Sequence, residues 1–148
     1  MNTASAFQSL IDLARNDTDR AGKELGQLVS ERHNAQTQLS MLHDYRLDYA
    51  HRLQHATQTG LPASSYQNFR KFLATLDDAI SQQDRVVAHK DTGVLEGRQH
   101  WQSEKRRLNA FEALETRARA KQRDHENRSD QIACDETSAG MFRRMRNT

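Results

Sequence analysis

The sequence is poor in the residues that interrupt or cross-link a compact fold. Its 148 residues include one proline, one cysteine and six glycines. So few chain breakers argue against the many turns of an all-β or α/β domain. The lone Cys134 excludes an internal disulfide framework and is typical of a reducing compartment.

Apolar residues are also scarce, at 35% of the chain against 28% charged residues. This balance argues against a thick globular core and favours helices that each bury one narrow stripe. No run approaches the roughly 18 consecutive apolar residues of a membrane span. The first residues, Met-Asn-Thr-Ala-Ser-Ala-Phe, lack a basic region followed by an apolar run, so we expect no secretory signal and a cytoplasmic location.

The apolar residues that are present recur in alternating steps of four and three. From Phe7 to Ala56 this series has fifteen positions, and twelve of them are apolar or aromatic. A 3.5-residue repeat held over about seven heptads indicates a left-handed coiled coil rather than an isolated amphipathic helix. We call the series the seam of the first helix: Phe7, Ile11, Ala14, Thr18, Ala21, Leu25, Leu28, Arg32, Ala35, Leu39, Leu42, Arg46, Tyr49, Leu53 and Ala56.

A second seam follows a short break that contains Gly60 and Pro62. Gly60 favours the left-handed conformation that ends a helix, and Pro62 cannot continue one. The second seam is regular at first, weaker in the middle, and fades beyond Leu114. Its positions are Tyr66, Phe69, Leu73, Leu76, Ile80, Gln83, Val87, Lys90, Val94, Gly97, Trp101, Glu104, Leu108 and Phe111, then Ala118, Gln122, His125 and Ser129.

The two seams predict an all-α fold, a long two-helix antiparallel coiled-coil hairpin with an extended C-terminal helix. The expected organisation is a single domain over residues 1–148. Its predicted parts are a helix over about 3–58, a loop over about 58–64, a helix over about 65–135 and a frayed tail over about 136–148.

Some large apolar residues lie beside the seams rather than on them. Met41 and Tyr45 adjoin the first seam, and Phe72 adjoins the second. The hairpin register brings Tyr45 and Tyr49 level with residues 73–77, so the apolar residues beside the two seams lie in one zone. Such a patch either marks a protein contact or simply widens the seam.

Glycines face each other across the predicted hairpin. Gly22 and Gly26 are level with the region of Gly93 and Gly97. Glycine inside a helix costs about 1 kcal/mol relative to alanine. Two explanations remain open, close approach of the two backbones or a soft point at which the helices bend.

The stretch from Arg98 to Arg123 is basic, with eight cationic and three acidic residues, 8 − 3 = +5. It coincides with the part of the second helix at which the first helix ends and no longer pairs with it. The simplest explanation is a solvated helix face. The alternatives are contacts with an acidic protein surface, an anionic membrane surface or nucleic acid.

Motifs of catalysis are missing from the sequence. It contains no Gly-rich phosphate loop, no Gly-x-Ser-x-Gly and no Cys-x-x-Cys. His51 and His55 have metal-ligand spacing, yet no third ligand of suitable type follows. Cys134 and His125 make a weak pair near the end of the chain. We therefore expect no enzymatic activity, no cofactor and no metal.

Four segments resemble the FliJ family of the flagellar type III export apparatus. The chain length, the hairpin and the order of these segments also agree, so the resemblance covers nearly the whole chain. The most specific are Gln38–Tyr49, which contains Met-Leu-His-Asp-Tyr, and Tyr66–Leu73, which reads Tyr-Gln-Asn-Phe-Arg-Lys-Phe-Leu. Leu76–Gln83 and Trp101–Leu108 are further matches. The resemblance implies a non-enzymatic export component and general chaperone, shaped like the shaft subunit of rotary ATPases.

The resemblance also implies the partners: the hexameric export ATPase, the cytoplasmic part of the export-gate membrane protein, and export chaperones. The gate contact carries over to an eight-residue set that we call the aromatic patch: Gln38, Leu42, Tyr45, Tyr49, Phe72, Leu76, Ala79 and Gln83. The ATPase contact is expected at the end remote from the loop, at Arg15, Lys105, Arg106, Arg107, Arg117, Arg119, Lys121 and Arg123. Attachment to the inner membrane would then be peripheral, through these partners.

Two other functions were weighed against this one. A self-associating structural coiled coil would dimerise through the C-terminal third, whereas an export component is expected to be monomeric alone. A nucleic-acid binder would need a sustained basic cluster, which the nearly balanced charge of +2 does not supply. We therefore expect no nucleic acid among the partners.

Overall fold

A computed structural model describes residues 3–147 of the chain. Helix α1 spans Thr3–Thr59 and helix α2 spans Ala63–Arg146. No strand occurs among the described residues, and the predicted all-α two-helix hairpin is confirmed. No helix in this part of the chain combines the length and the apolar character that crossing a bilayer requires.

The break between the helices is shorter than predicted and covers only residues 60–62. Gly60 has φ = 92°, the left-handed conformation that glycine adopts without steric cost. The backbone N–H of Tyr66 donates to the carbonyl oxygen of Pro62 at 3.1 Å, which closes the first turn of α2. The second helix therefore begins at Ala63, two residues before the expected position.

The frayed tail predicted for residues 136–148 is wrong as far as Arg146, because α2 remains helical to that residue. The physical reason is the lack of a breaker: Gly140 is the one glycine and there is no proline in this stretch. Arg143, Arg144 and Arg146 occupy the last turn, where positive charge interacts favourably with the helix dipole.

The chain divides into two compact units. Unit 1 combines Met1–Thr18 with Ser103–Thr148, of which 3–18 and 103–147 are described, and unit 2 is Asp19–Gln102. Contacts across the helices run antiparallel in each unit. Arg15 pairs with Glu112 in unit 1, and Lys90 pairs with Glu31 in unit 2.

The burial pattern confirms the seam of α1. Each of its fifteen positions is buried or half-buried except Arg32, whose side chain is half exposed. Ile11 and Ala14 are each 1% exposed and pack with Leu108 and Phe111 to form the core of unit 1. The core of unit 2 contains Ala21, Ala35, Leu39, Leu76, Ile80 and Val94.

The seam of α2 is buried or half-buried from Phe69 to Phe111 and continues through the half-buried Glu115 and Ala118. Every residue from 119 to 139 is exposed. Burial therefore ends close to where the apolar pattern fades, beyond Leu114. The later seam positions Gln122, His125 and Ser129 are polar and exposed.

Close contact occurs around three of the four facing glycines. A Cβ atom added to Gly97 would lie 2.7 Å from Cδ1 of Leu28, and one added to Gly22 would lie 3.3 Å from Nε1 of Trp101. Gly93 faces Leu28 at an ordinary 3.7 Å, whereas Gly26 has nothing within 4 Å. Close packing therefore explains Gly97 and Gly22, and it does not explain Gly26.

Candidate functional site

Four aromatic rings of unit 2 form a chain of contacts across the two helices. The ring centroids of Tyr49 and Phe72 are 4.4 Å apart, those of Tyr49 and Phe69 are 5.1 Å apart, and Tyr45 meets Phe72 edge-on at 6.2 Å. Such offset and edge-to-face pairs are favourable beyond the area that they bury. The three half-buried rings thus form a floor on which Tyr45, 56% exposed, rests.

A shallow groove of about 370 Å³ lies beside this cluster. Its lining residues are Gln38, Met41, Leu42, Tyr45 and Gln83. Met41 is 64% exposed and is the only one of the five outside the aromatic patch. Its position beside Leu42 had marked it as surplus apolar surface, but the family resemblance did not carry a role onto it.

Gln83 ties the two helices together at the edge of the groove. Its Nε2 donates to the carbonyl oxygen of Ala35 at 2.9 Å and to Oε1 of Gln38 at 3.3 Å. The hydrogen bond to the carbonyl oxygen of Ala35 holds the Gln83 side chain across the seam. The structure therefore brings Gln38 and Gln83 into direct contact.

An ion pair fixes the helices next to the aromatic rings. The guanidinium of Arg46 holds the carboxylate of Asp77 through two hydrogen bonds, of which Nη2 to Oδ2 measures 3.3 Å. The hydrogen bond from Arg46 lowers the pKa of Asp77, and the same bond raises the pKa of Arg46. Such a two-pronged pair constrains geometry more than it adds stability, because both side chains are about half exposed.

The aromatic patch is unevenly accessible. Gln38 and Tyr45 are exposed, and Leu42, Tyr49, Phe72, Ala79 and Gln83 are half-buried. Leu76 is 7% exposed and belongs to the core of unit 2. A partner that docked here would touch Tyr45 and Gln38 directly, and it would depend on Leu76 only through the packing beneath them.

The basic residues predicted for the ATPase contact lie in unit 1 and are all exposed. Arg15 reaches Asp12 at 3.9 Å and Glu112 at 3.7 Å, and Arg119 reaches Glu115 at 2.5 Å. The guanidinium of Arg107 lies 5.6 Å from the ring centroid of Phe111. The structure thus divides the set into cations with a carboxylate partner and cations that face solvent: Lys105, Arg106, Arg107, Arg117, Lys121 and Arg123.

The histidine pair also lies on the surface. His51 and His55 line a shallow depression with Gln54 and Gln58. Among residues 3–147, no group of three or more His, Cys, Asp and Glu side chains is arranged to hold a metal ion. Cys134 is exposed.

Fold and site together define a two-helix antiparallel coiled-coil protein that carries a partly exposed aromatic face. The family model described as "Flagellar FliJ protein" matches residues 3–147. The chain is 32% identical over 131 residues to a flagellar FliJ protein of Salmonella typhi and 30% identical over 131 residues to one of Escherichia coli K12. Each match covers 88% of this chain and 89% of the relative.

The chain belongs to the FliJ family and is therefore a component of the flagellar export apparatus.

Proposed function

We propose that this chain is a non-enzymatic component and general chaperone of flagellar type III export that couples the export ATPase ring to the export gate. Its partners would be the ATPase hexamer, the cytoplasmic part of the gate membrane protein and export chaperones. The observation that carries the proposal is the aromatic patch, where Tyr45 stands 56% exposed above a fixed aromatic floor. Exposed aromatic side chains on a rigid support are typical of protein contact sites.

The gate contact is assigned to the aromatic patch for three reasons. The rings are held in place by packing and by the Arg46–Asp77 ion pair. The adjoining groove offers apolar walls with the amides of Gln38 and Gln83 at its rim. An apolar centre with a polar rim is the arrangement that docking surfaces share.

The ATPase contact is assigned to the basic residues of unit 1. Six of the eight face solvent, namely Lys105, Arg106, Arg107, Arg117, Lys121 and Arg123. A cluster of one charge sign accelerates association with an acidic surface and makes binding sensitive to salt. The paired Arg15 and Arg119 contribute less in this proposal.

The absence of catalysis is part of the same proposal. The displaced pKa values of Glu31, Arg46 and Asp77 arise from ion pairs across the helices, and those groups do not converge in a cleft. The grooves described above are open to solvent along the helices, and catalytic groups generally need a site that excludes water. We propose a cytoplasmic location with peripheral attachment to the inner membrane through the gate.

A self-associating structural coiled coil is the alternative. Exposed Ile132, Met141 and Phe142 favour contact between copies, but the seam positions Gln122, His125 and Ser129 are poor for a second coiled coil. We propose a monomer in isolation. Sedimentation equilibrium at micromolar concentration should give a single mass of 17.0 kDa, and a mass that grows with concentration would support the alternative.

The proposal is tested by deleting the native gene in the source organism and measuring secretion of flagellar substrates. The wild-type chain should restore secretion, and purified wild-type chain should bind both the ATPase and the gate's cytoplasmic part. Normal secretion in the deletion strain, or binding to neither protein, would contradict the proposed function.

A further inference from the structure

Three leucines of unit 1 are exposed although they lie next to its core. Leu10 is 40% exposed, Leu13 is 56% exposed and Leu114 is 41% exposed. We call them the leucine strip. Each stands one position before a seam residue, namely Ile11, Ala14 and Glu115.

The leucine strip lies on one side of the helix pair. In an antiparallel pair, positions that precede seam residues fall on the same side in both helices, and positions that follow seam residues fall on the other. Unit 2 contains an example of residues that precede seam positions. Tyr45 and Phe72 each precede a seam residue, and their ring centroids are 6.2 Å apart. Unit 1 contains an example of residues that follow seam positions. Arg15 and Glu112 each follow a seam residue, and Nη2 of Arg15 lies 3.7 Å from Oε1 of Glu112.

A cationic groove continues on the side of the leucine strip. It has a volume of about 580 Å³ and is lined by Thr3, Arg117, Ala118, Lys121, Gln122 and His125. Arg117 and Lys121 also precede seam positions, Ala118 and Gln122. On α1, Asp17 precedes the seam residue Thr18 and bounds the strip.

The cations of unit 1 differ in how they are compensated, and Lys105 and Arg123, on the side away from the leucines, face solvent. Arg15 and Arg119 follow seam residues and lie within 4.0 Å of carboxylates on their own chain. Among residues 3–147 no carboxylate forms an ion pair with Arg117 or Lys121. The side with the exposed leucines therefore combines apolar surface with cations that a partner's carboxylates can reach.

We propose that the leucine strip and the adjoining groove bind an acidic amphipathic helix of a partner protein. A third helix can lie along two antiparallel helices, with apolar side chains against Leu10, Leu13 and Leu114 and carboxylates towards Arg117 and Lys121. A nucleic acid would use the cations but not the leucines. A flat membrane surface would not fill the groove. The inference refines the second contact of the proposed function and names the chemistry of its partner.

The occupant can be identified by photo-crosslinking in intact cells, with the full-length chain at native expression level. A photoreactive amino acid is placed at position 13 or 114 on the strip, and at position 109 or 116, which follow Leu108 and Glu115 on the opposite side, as a control. Mass spectrometry then reads the captured segment. We expect a segment of another protein with net negative charge and apolar residues at helical spacing, captured from 13 and 114 and not from 109 and 116.

The captured segment is then synthesised and titrated against purified chains. Leu13→Ala with Leu114→Ala should weaken binding about tenfold, the loss typical of removing apolar anchor side chains. Arg117→Glu with Lys121→Glu should weaken it about tenfold or more, with a flatter salt dependence. Arg85→Glu with Arg98→Glu changes the charge by the same amount at exposed positions outside both proposed contacts and should leave affinity within about twofold.

Several results would overturn the inference: capture of lipid, nucleic acid or a second copy of this chain, capture of a segment that is not acidic, equal capture from the control positions, or no capture at all. These outcomes are separable from the proposed function. If the chain binds the export ATPase through the opposite side, the inference fails and the proposed function stands. If the captured acidic helix belongs to a protein outside flagellar export, the inference stands and the proposed function fails.

Discussion

Both compact units have an aliphatic core, and they differ in what surrounds it. In unit 1, Ile11, Ala14 and Leu108 are almost completely buried and form an aliphatic core. In unit 2, part of the contact between the helices comes from long side chains that reach across the seam, such as Gln83, Arg46 and Tyr49. Side chains of the second kind stay partly exposed, so they serve the fold and remain available to a partner.

This difference indicates which substitutions should change stability alone and which should change both stability and partner binding. An aliphatic core residue contributes only to the fold, because no partner reaches it. A half-exposed aromatic contributes to both, and only the outermost member of a cluster can be removed with little structural cost. The following predictions rank the consequences by expected size.

The largest effect is expected in the core of unit 1. Ile11→Ala removes a side chain that is 1% exposed and should lower the free energy of unfolding by about 3 kcal/mol, measured by urea denaturation. The matched control is Leu13→Ala, since Leu13 is 56% exposed, and its cost should be below about 1 kcal/mol. Equal losses for the two variants would show that the seam of unit 1 is assigned wrongly.

An effect of intermediate size should distinguish the glycines of unit 2. Gly97→Val places a branched side chain where even a Cβ would meet Leu28 at 2.7 Å, and it should cost about 2 kcal/mol. Gly26→Ala meets nothing within 4 Å and should stabilise the chain by up to about 1 kcal/mol through helix propensity. Thermal melting followed by circular dichroism checks both. A stabilising Gly97→Val would contradict the close packing described here.

Within the aromatic cluster, Phe72→Ala should be costlier than Tyr45→Ala. Phe72 contacts both Tyr45 and Tyr49, with centroids 4.4 Å apart in the closer pair, whereas Tyr45 meets one ring. We expect a loss of about 2 kcal/mol for Phe72→Ala and about 0.5 kcal/mol for Tyr45→Ala. The reverse order of urea midpoints would show that Tyr45, and not Phe72, supports the floor of the patch.

The smallest effect concerns acid stability. The Arg46 partner lowers the pKa of Asp77 below its ordinary value of 3.8, so ionised Asp77 favours the folded state. This contribution is fully present above that ordinary value and is lost as the pH falls through the lowered folded-state pKa. The difference in urea midpoint between wild type and Asp77→Asn should therefore be small at pH 7, shrink as the pH falls below 3.8, and vanish below the lowered folded-state pKa of Asp77. A difference that grows on acidification would contradict this sign.

Much of the fold could be predicted because heptad spacing reports burial directly. Fourteen of the fifteen seam positions of α1 are buried or half-buried, with Arg32 as the exception. The end of α2 could not be predicted from the same signal. A helix ends where a breaker ends it, and the fading of apolar residues beyond Leu114 marks the loss of a packing partner rather than the end of the helix.

The candidate site was predictable only in part, for a similar reason. Position relative to the seam showed that Tyr45 and Phe72 share a face, and their rings are in contact. Pairing of individual charges depends on side-chain geometry that a composition count does not contain. The net charge of the basic stretch therefore did not reveal that Arg119 contacts a carboxylate while Arg117 and Lys121 remain accessible.

The most direct test of the aromatic patch as the gate contact is the affinity of the purified chain for the gate's cytoplasmic part, measured by isothermal titration calorimetry. Tyr45→Ala removes an exposed ring of the patch, and Leu47→Ala removes a side chain of similar exposure, 59%, outside the patch. We expect Tyr45→Ala to weaken binding about tenfold or more and Leu47→Ala to leave it unchanged, with both variants as helical as wild type. Unchanged affinity in Tyr45→Ala, or equal losses in the two variants, would contradict the account.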